Sequence, residues 1–463
     1  MSEIKVNKIS PRTNCGTTQL GDSGDTITIP AGVTISNSGT ASGFGSTGEV
    51  SWNTTKITAD PGPAVSGVGY FTDTSASAFN VTLPSSPSAG AVIAVADYAN
   101  TWDSNNLTIL RNGSNIEGDA SNFVCNQEGA AITFVYVDAT KGWVVTNSGN
   151  SSQGSIIPAY VTATGGTVVT SGDFKIHVFT GPGTFCVSCA GNTTGNNKAA
   201  YLVVAGGGGG AGDHGGGGGA GGYRESSGDC AGNYASNPLS CGVDDVTVTA
   251  QGYPISVGAA GTGTSAPPDQ SGGDGGNSTF STIISTGGGG GGRGPGSTPG
   301  RDGGSGGGVL SPSPGNAGAG NTPSVSPPQG SPGNYQTNAQ AAGGGGGAGG
   351  PSSILSDQNG KAGMYSAMLH GTPAASTYGT TGPQPNTRYF SGGGGGGVEG
   401  SATAGTGGAG GGGAGSGPSG CTAGNAGTTN TGGGGGGASG PGGSHKGGNG
   451  GSGIVMIRYK FQN

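Results

Sequence analysis

Tyr201–Glu225 reads YLVVAGGGGGAGDHGGGGGAGGYRE, and any fold must accommodate its uninterrupted runs Gly206–Gly210 and Gly215–Gly219. Similar runs recur at Gly287–Gly292, Gly343–Gly347, Gly392–Gly397, Gly410–Gly413 and Gly432–Gly437. Glycine loses more conformational freedom on folding than any other residue, so such runs stay disordered unless a specific arrangement offsets that cost. A left-handed helix of the polyproline II type has three residues per turn and no internal hydrogen bonds, so its N–H and C=O groups point outward. With glycine at every position, neighbouring helices can approach until those groups bond to one another. A run of five or six residues then spans roughly 16–19 Å. The expectation is a packed bundle of polyglycine II rods, with Gly208, Gly217, Gly289, Gly345, Gly394 and Gly434 as mid-run scaffold positions and the intervening segments displayed at its ends.

A flexible Gly/Ser linker is the competing reading. Three features oppose it. The runs are nearly pure glycine with little serine, and the segments between them carry Tyr, Phe, Leu, Met and Pro rather than solvating charge. The third is the closing stretch GSGIVMIRYKF (Gly451–Phe461), an apolar strand that needs a folded partner.

Charged residues make up only 8 % of the chain and the net charge is −7. That excludes the clustered Lys/Arg of a nucleic-acid binder and a polybasic membrane-surface binder. No segment reaches the length of a transmembrane helix, and the opening MSEIKVNKIS has no apolar signal-peptide core. Synthesis in a cytoplasm is therefore expected. The seven cysteines, at 15, 125, 186, 189, 230, 241 and 421, are a poor disulfide framework. CVSC (Cys186, Cys189) has metal or redox spacing, but no second CxxC or His pair completes a zinc site. The plainer expectation is two small residues on a hairpin turn. Cys230 and Cys241 bracket a loop and could bridge in an oxidising medium.

Along the chain, residues 1–50 alternate short period-two runs with turns, and form a segment too short to bury a core alone. It is expected to attach or oligomerise. Residues 51–148 are expected as a β-module, with strands at Ala78–Leu83, Ala91–Val95, Leu107–Leu110, Ala131–Val137 and Trp143–Thr146, and with Trp102 and Trp143 in its core. A polar hinge follows at 149–157. Residues 158–463 form the glycine-rich part, since only 18 of the 113 glycines lie in residues 1–155. The fold class is all-β: attachment segment and shaft module, then a β-sandwich-like domain merged with polyglycine II rods, essentially without α-helix.

The opening MSEIKVNKISPRTNCGTTQLGDSGDTITIPAGVTISNSGTASGFG resembles that of tail-fibre proteins of marine bacteriophages. NNLTILRNGSNIEG with ITFVYVDATKGWVV resembles a β-module of the same fibres. The succession YLVVAGGGGG, YPISVGAAGTG, GGGGGG and GSGIVMIRY is similar to the glycine-rich domain of phage fibres, and in kind to phage adhesins whose polyglycine II sandwich carries receptor-binding loops. The resemblance implies a homotrimeric virion shaft, bound to a phage tail or fibre-attachment protein by its N-terminus. It further implies that the distal end touches a host surface glycan or outer-membrane protein, with no nucleic acid and no membrane insertion. Those adhesins are separate chains mounted on a fibre, whereas shaft and glycine domain here share one chain.

Chemistry is not expected. A glycosidase needs two carboxylates roughly 5–10 Å apart. Asp244 and Asp245 are adjacent on an expected strand and point to opposite faces. Glu225 and Asp229 are a further pair without supporting signal. Asp213–His214 interrupts a glycine run and reads as a turn; His177, His214, His370 and His445 are isolated in sequence. No enzyme motif, cofactor or metal site is indicated. Aromatic side chains supply large contact area at little entropic cost. The candidate receptor-binding residues are accordingly Tyr234, Tyr335, Met364, Tyr365, Leu369, His370, Tyr378, Tyr389 and Phe390; a loop aromatic can equally fold back and cap the lattice side. A structural fibre or extracellular filament without receptor specificity is the alternative, and a polyglycine II ice-binder, lacking a regular flat Thr/Ala face, ranks last.

Overall fold

In the computed structural model the chain divides into two compact units, Met1–Ser51 and Trp52–Asn463. The residues described are 50–146, 155–232, 237–265, 270–294, 298–337, 340–400, 402–417, 422–440 and 445–463. The strands expected in residues 1–50, Tyr234, Cys15, Cys421 and the first six residues of the expected hinge lie outside them. The described chain is almost entirely β, and its helices are two single 3-10 turns, Asp229–Ala231 and Pro314–Asn316.

The first nine strands are β1 (Ser51–Ile57), β2 (Val68–Thr72), β3 (Phe79–Thr82), β4 (Val92–Asp97) and β5 (Leu107–Leu110), then β6 (Phe123–Cys125), β7 (Ala131–Asp138), β8 (Gly142–Val145) and β9 (Ser155–Ile156). They form two sheets, ordered β1-β2-β4-β7-β8 and β3-β5-β6-β9. Period-two alternation explains their faces: in β5, Leu107 and Ile109 are buried while Thr108 and Leu110 are partly exposed. One core gathers Trp102, Trp143, Phe134, Ile93 and Leu107, and the Trp102 indole donates to Thr72 Oγ1 at 3.0 Å. The five expected strands sit within about two residues of β3, β4, β5, β7 and β8. Three were not legible: β1 is solvated along most of its length and has no apolar alternation, while β2 and β6 are short. Part of the expected hinge is β9, whose Ile156 pairs with Phe123.

Beyond it come β10 (Val161–Thr164), β11 (Thr167–Ser171), β12 (Phe174–Phe179), β13 (Gly183–Ala190) and β14 (Lys198–Val204). They are followed by β15 (Tyr223–Glu225), β16 (Val246–Thr247), β17 (Gly252–Ser256), β18 (Ser278–Phe280) and β19 (Ile283–Ser285). Later come β20 (Val309–Leu310), β21 (Tyr335–Gln336), β22 (Met364–Ser366), β23 (Arg388–Phe390) and the closing β24 (Ile454–Lys460). One sheet runs β10-β13-β17-β18-β19 and another β11-β12-β24-β14-β15. The chain end therefore lies between β12 and β14. The second sheet is buried on both faces. Val455, Ile457 and Tyr459 share a core with Phe185, Tyr253 and Phe280 of the first sheet. Ile454 and Met456 face the other way, into a core with Leu202, Val204, Met364, Met368 and Phe390. That is why IVMI is continuously apolar.

The glycine runs have no side-chain core. From Gly206 to Ala211 the N–H groups donate in turn to three neighbours, with period three. Gly206 and Gly209 reach Gly276 and Gly273, at 3.0 and 2.9 Å. Gly207 and Gly210 reach Gly451 and Gly448, both at 2.9 Å, while Gly208 and Ala211 reach Gly219 and Gly216, at 2.9 and 3.1 Å. The next run does the same: Gly217 and Ala220 donate to Gly343 and Gly346, at 3.1 and 3.0 Å. The period matches neither a strand nor an α-helix. What demands glycine here is close approach. A Cβ on Gly208 would lie 2.3 Å from the Gly289 carbonyl oxygen, one on Gly289 1.9 Å from that of Arg301, and one on Gly394 2.1 Å from that of Gly435.

Replacing Gly289 or Gly394 with valine is expected to cost at least about 3 kcal/mol, through overlap and lost backbone bonds. The readout is loss of the cooperative thermal transition of the glycine-rich part. Gly181→Ala is the control, because a Cβ there meets nothing within 4 Å. A valine variant melting like the control would refute the close-approach account.

Candidate functional site

Of the segments between the glycine runs, 351–391 holds most of the residues singled out from the sequence. Its start is fixed by Lys361, whose Nζ donates to the carbonyls of Pro351 and Ser353 at 3.0 and 2.7 Å; burial holds its pKa down at about 8. β22 and β23 then pair Met364 with Phe390 and Tyr365 with Tyr389. Met364, Leu369, Tyr389 and Phe390 are buried. Met364, Leu369 and Phe390 belong to the core on the outer face of the β11-β12-β24-β14-β15 sheet, with Tyr365 and Tyr378 packed against it. These apolar side chains cover a sheet. Met368 belongs with them, and its carbonyl accepts from buried Arg458 Nη1 at 2.7 Å.

Of the remaining picks, His370 is exposed, while Tyr335, Tyr365 and Tyr378 are half-buried. Tyr335 lies on β21, away from this hairpin in sequence and paired with Val309. His370 borders a cavity of about 270 Å³, shared with Ser366, Ser376, Asn386, Thr387 and Arg388. Arg388 is anchored there by the carbonyls of Tyr378 and Gly379, at 2.9 and 2.6 Å. The scaffold positions all sit in the backbone network: Gly217 donates to Gly343, Gly345 to Gly394, Gly394 to Gly218 and Gly434 to Gly392.

Two polar clusters were not assembled by sequence reasoning. Glu225, on β15, is buried and accepts hydrogen bonds from Ser366 Oγ at 2.6 Å, Tyr223 OH and Asn237 Nδ2. Asn237 Nδ2 also donates to the Tyr365 carbonyl at 2.7 Å, and Tyr223 OH lies 3.1 Å from the same carbonyl. The carboxyl thus ties β15 and the following loop to β22. Burial pushes its pKa up to about 7, against the opposing pull of its three donors. The only local signal was the i, i+2 spacing of Tyr223 and Glu225, which puts both on one face of a strand.

The second cluster corrects the reading of His214 as isolated. Asp213 and His214, both in the left-handed region (φ 48° and 52°), break the glycine run. His214 Nδ1 lies 2.9 Å from Asp213 Oδ1, its Nε2 contacts Glu399, and Arg293 pairs with Asp213. Burial would raise the Asp213 carboxyl, but Arg293 and His214 outweigh it and hold its pKa low. Partners 80 and 185 residues away leave no local trace. Asp244 is exposed and Asp245 buried, ahead of β16 rather than on it, with Asp245 accepting from the Gly228 and Cys230 amides. Cys230 and Cys241 are free thiols. Among the described residues no group of three or more His, Cys, Asp or Glu is placed to hold a metal, and no helix is long and apolar enough to cross a membrane.

Residues 180–460 match the family described as glycine-rich domain. The chain belongs to this family. No curated protein matches it. The class defined by fold and family together is a glycine-rich, all-β scaffold.

The raised pKa of Glu225 has a definite sign. Between the ordinary value of 4.5 and about 7 the folded state holds a proton that the unfolded chain has lost. Stability is therefore fullest below about pH 4.5 and falls as pH rises through 7, by up to about 3 kcal/mol. Glu225→Gln should flatten that slope and melt higher than wild type at pH 8. Parallel pH–Tm curves for the two proteins would remove Glu225 as its source.

Proposed function

We propose that this chain is a structural protein of a fibre or extracellular filament, in which polyglycine II rods form a rigid lattice that holds the intervening segments. The observation that carries this reading is the period-three donation from Gly206–Ala211 to three separate neighbours, which is what a three-residue helix without internal bonds would make. Family membership supports the same reading. So does the use of Met364, Leu369 and Phe390 to cover a sheet rather than to face solvent.

A second reading is favoured by one feature, the open polar cavity beside exposed His370. In it the chain is a virion tail-fibre adhesin, homotrimeric and tail-bound through its N-terminus, and a host glycan or outer-membrane protein meets the 366–388 rim. Tyr234, Tyr335, Tyr365 and Tyr378 are secondary contact candidates. The two readings separate on the rim. Negative-stain imaging of the purified full-length chain should show regular assemblies. The structural role further expects that His370→Ala combined with Asn386→Ala leaves assembly and Tm unchanged, and that wild type fails to bind arrayed bacterial surface glycans and outer-membrane vesicles. Saturable binding that this double variant abolishes would overturn the structural reading in favour of the adhesin. Exchange of all of 351–391 is the wrong experiment, because it would strip the apolar cover from the sheet.

A further inference from the structure

CVSC does not lie on a hairpin turn. Cys186 and Cys189 sit within β13, a strand flanked on both sides by β10 and β17. Residues three apart on a regular strand face opposite sides. Here they do not. Val187 pairs with Ala163 and Cys189 with Thr162, so Ser188 is an extra residue and the register shifts at that point. Cys186 pairs with Thr164. Directly paired residues share a face of the sheet, and Thr162 and Thr164, two apart on β10, share one with each other. The bulge therefore brings both thiols to the same face. Exposure agrees: Cys186 and Cys189 are exposed and free, while Phe185 and Val187 between and beside them are buried in the core.

We infer that Cys186 and Cys189 form a two-thiolate chelate for a soft, two-coordinate cation, of which Cu(I) is the fit. The thiols stand about two strand rises apart, roughly 6.6 Å between backbones. That separation lies at the far end of the range a disulfide tolerates, whereas an ion seated between the sulfurs bridges it without drawing the strand together. Thiolate softness selects Cu(I) over hard cations. The surroundings set the coordination number. Gly252, opposite Cys186 on β17, carries no side chain, and the groups flanking the thiols on this face include the hydroxyls of Thr162, Thr164, Thr184 and Ser188. Ser188 Oγ is already committed to the Thr162 carbonyl at 3.1 Å. With no further strong ligand among the described residues, a tetrahedral zinc site is incomplete. Binding converts two thiols and one Cu(I) into a bis-thiolate complex and releases two protons, so affinity rises with pH.

The test uses the reduced full-length chain under anaerobic conditions, titrated with Cu(I) against a chromogenic Cu(I) chelator. Wild type should take up one equivalent more than either Cys186→Ser or Cys189→Ser, and more at pH 8 than at pH 6. Zn(II) uptake should not differ among the three. Deleting Ser188 leaves the two cysteines two residues apart on a regular strand, still opposite Thr164 and Thr162 and on one face, so the extra equivalent should persist. If that deletion does not fold, the serine variants, at solvent-facing positions, decide alone. Equal Cu(I) uptake by wild type and both serine variants would overturn the site. So would uptake accompanied by Cu(I)-dependent dimerisation, which would place the ion between two copies. Loss of the extra equivalent in a folded Ser188 deletion would refute the placement of the two thiols on one face.

Discussion

Backbone amides bonded to the backbone carbonyls of distant segments are what the glycine-rich part of this molecule depends on. In most domains the interior is built from apolar side chains, and peptide groups are satisfied within strands or helices. Here the side chain is removed, and the peptide groups of separate segments satisfy one another directly. Gly208 takes part twice, donating to Gly219 and accepting from Gly435, both at 2.9 Å. Each such bond contributes only about 0.5–1.5 kcal/mol net. The arrangement holds because the bonds are many and because a buried amide without a partner is costly.

This backbone network does not stand alone. Both faces of the β11-β12-β24-β14-β15 sheet are covered by ordinary apolar packing, one by the neighbouring sheet and one by the 364–390 hairpin. β14 runs directly into Gly206, and β24 emerges from the glycine-rich Gly447–Gly453 stretch. Conventional strands thereby anchor the ends of runs that have no side chains to set their register. Glu225 and its three donors add a polar tie between β15 and β22. A buried carboxyl of this kind specifies one arrangement at some cost in stability.

Much of the β-structure was legible. Leu107–Leu110 and Ala131–Asp138 show clear apolar patterning and were placed within a residue. β1 was missed because a solvated strand has no periodic signal, and the expected hinge concealed β9 because two residues are too few to register. The candidate contact residues show the limit most clearly. Met364, Leu369, Tyr389 and Phe390 stand out in a loop-like sequence, and chemistry alone does not say whether an apolar side chain meets a partner or the protein's own sheet. Tertiary packing put them inward.

The sequence by itself determined that the chain is β-rich, glycine-built and poor in charge, and that its closing apolar stretch needs a folded partner. These properties follow from composition and short-range periodicity. Only the tertiary structure decided which glycine run bonds to which, that His214 meets Glu399, that Ser366 reaches Glu225, and that one extra residue at Ser188 turns Cys189 to the face of Cys186. Each of these is set by the register between segments far apart in the chain. Glycine carries no side chain with which to announce its neighbour, so that register is fixed only when the whole bundle is assembled.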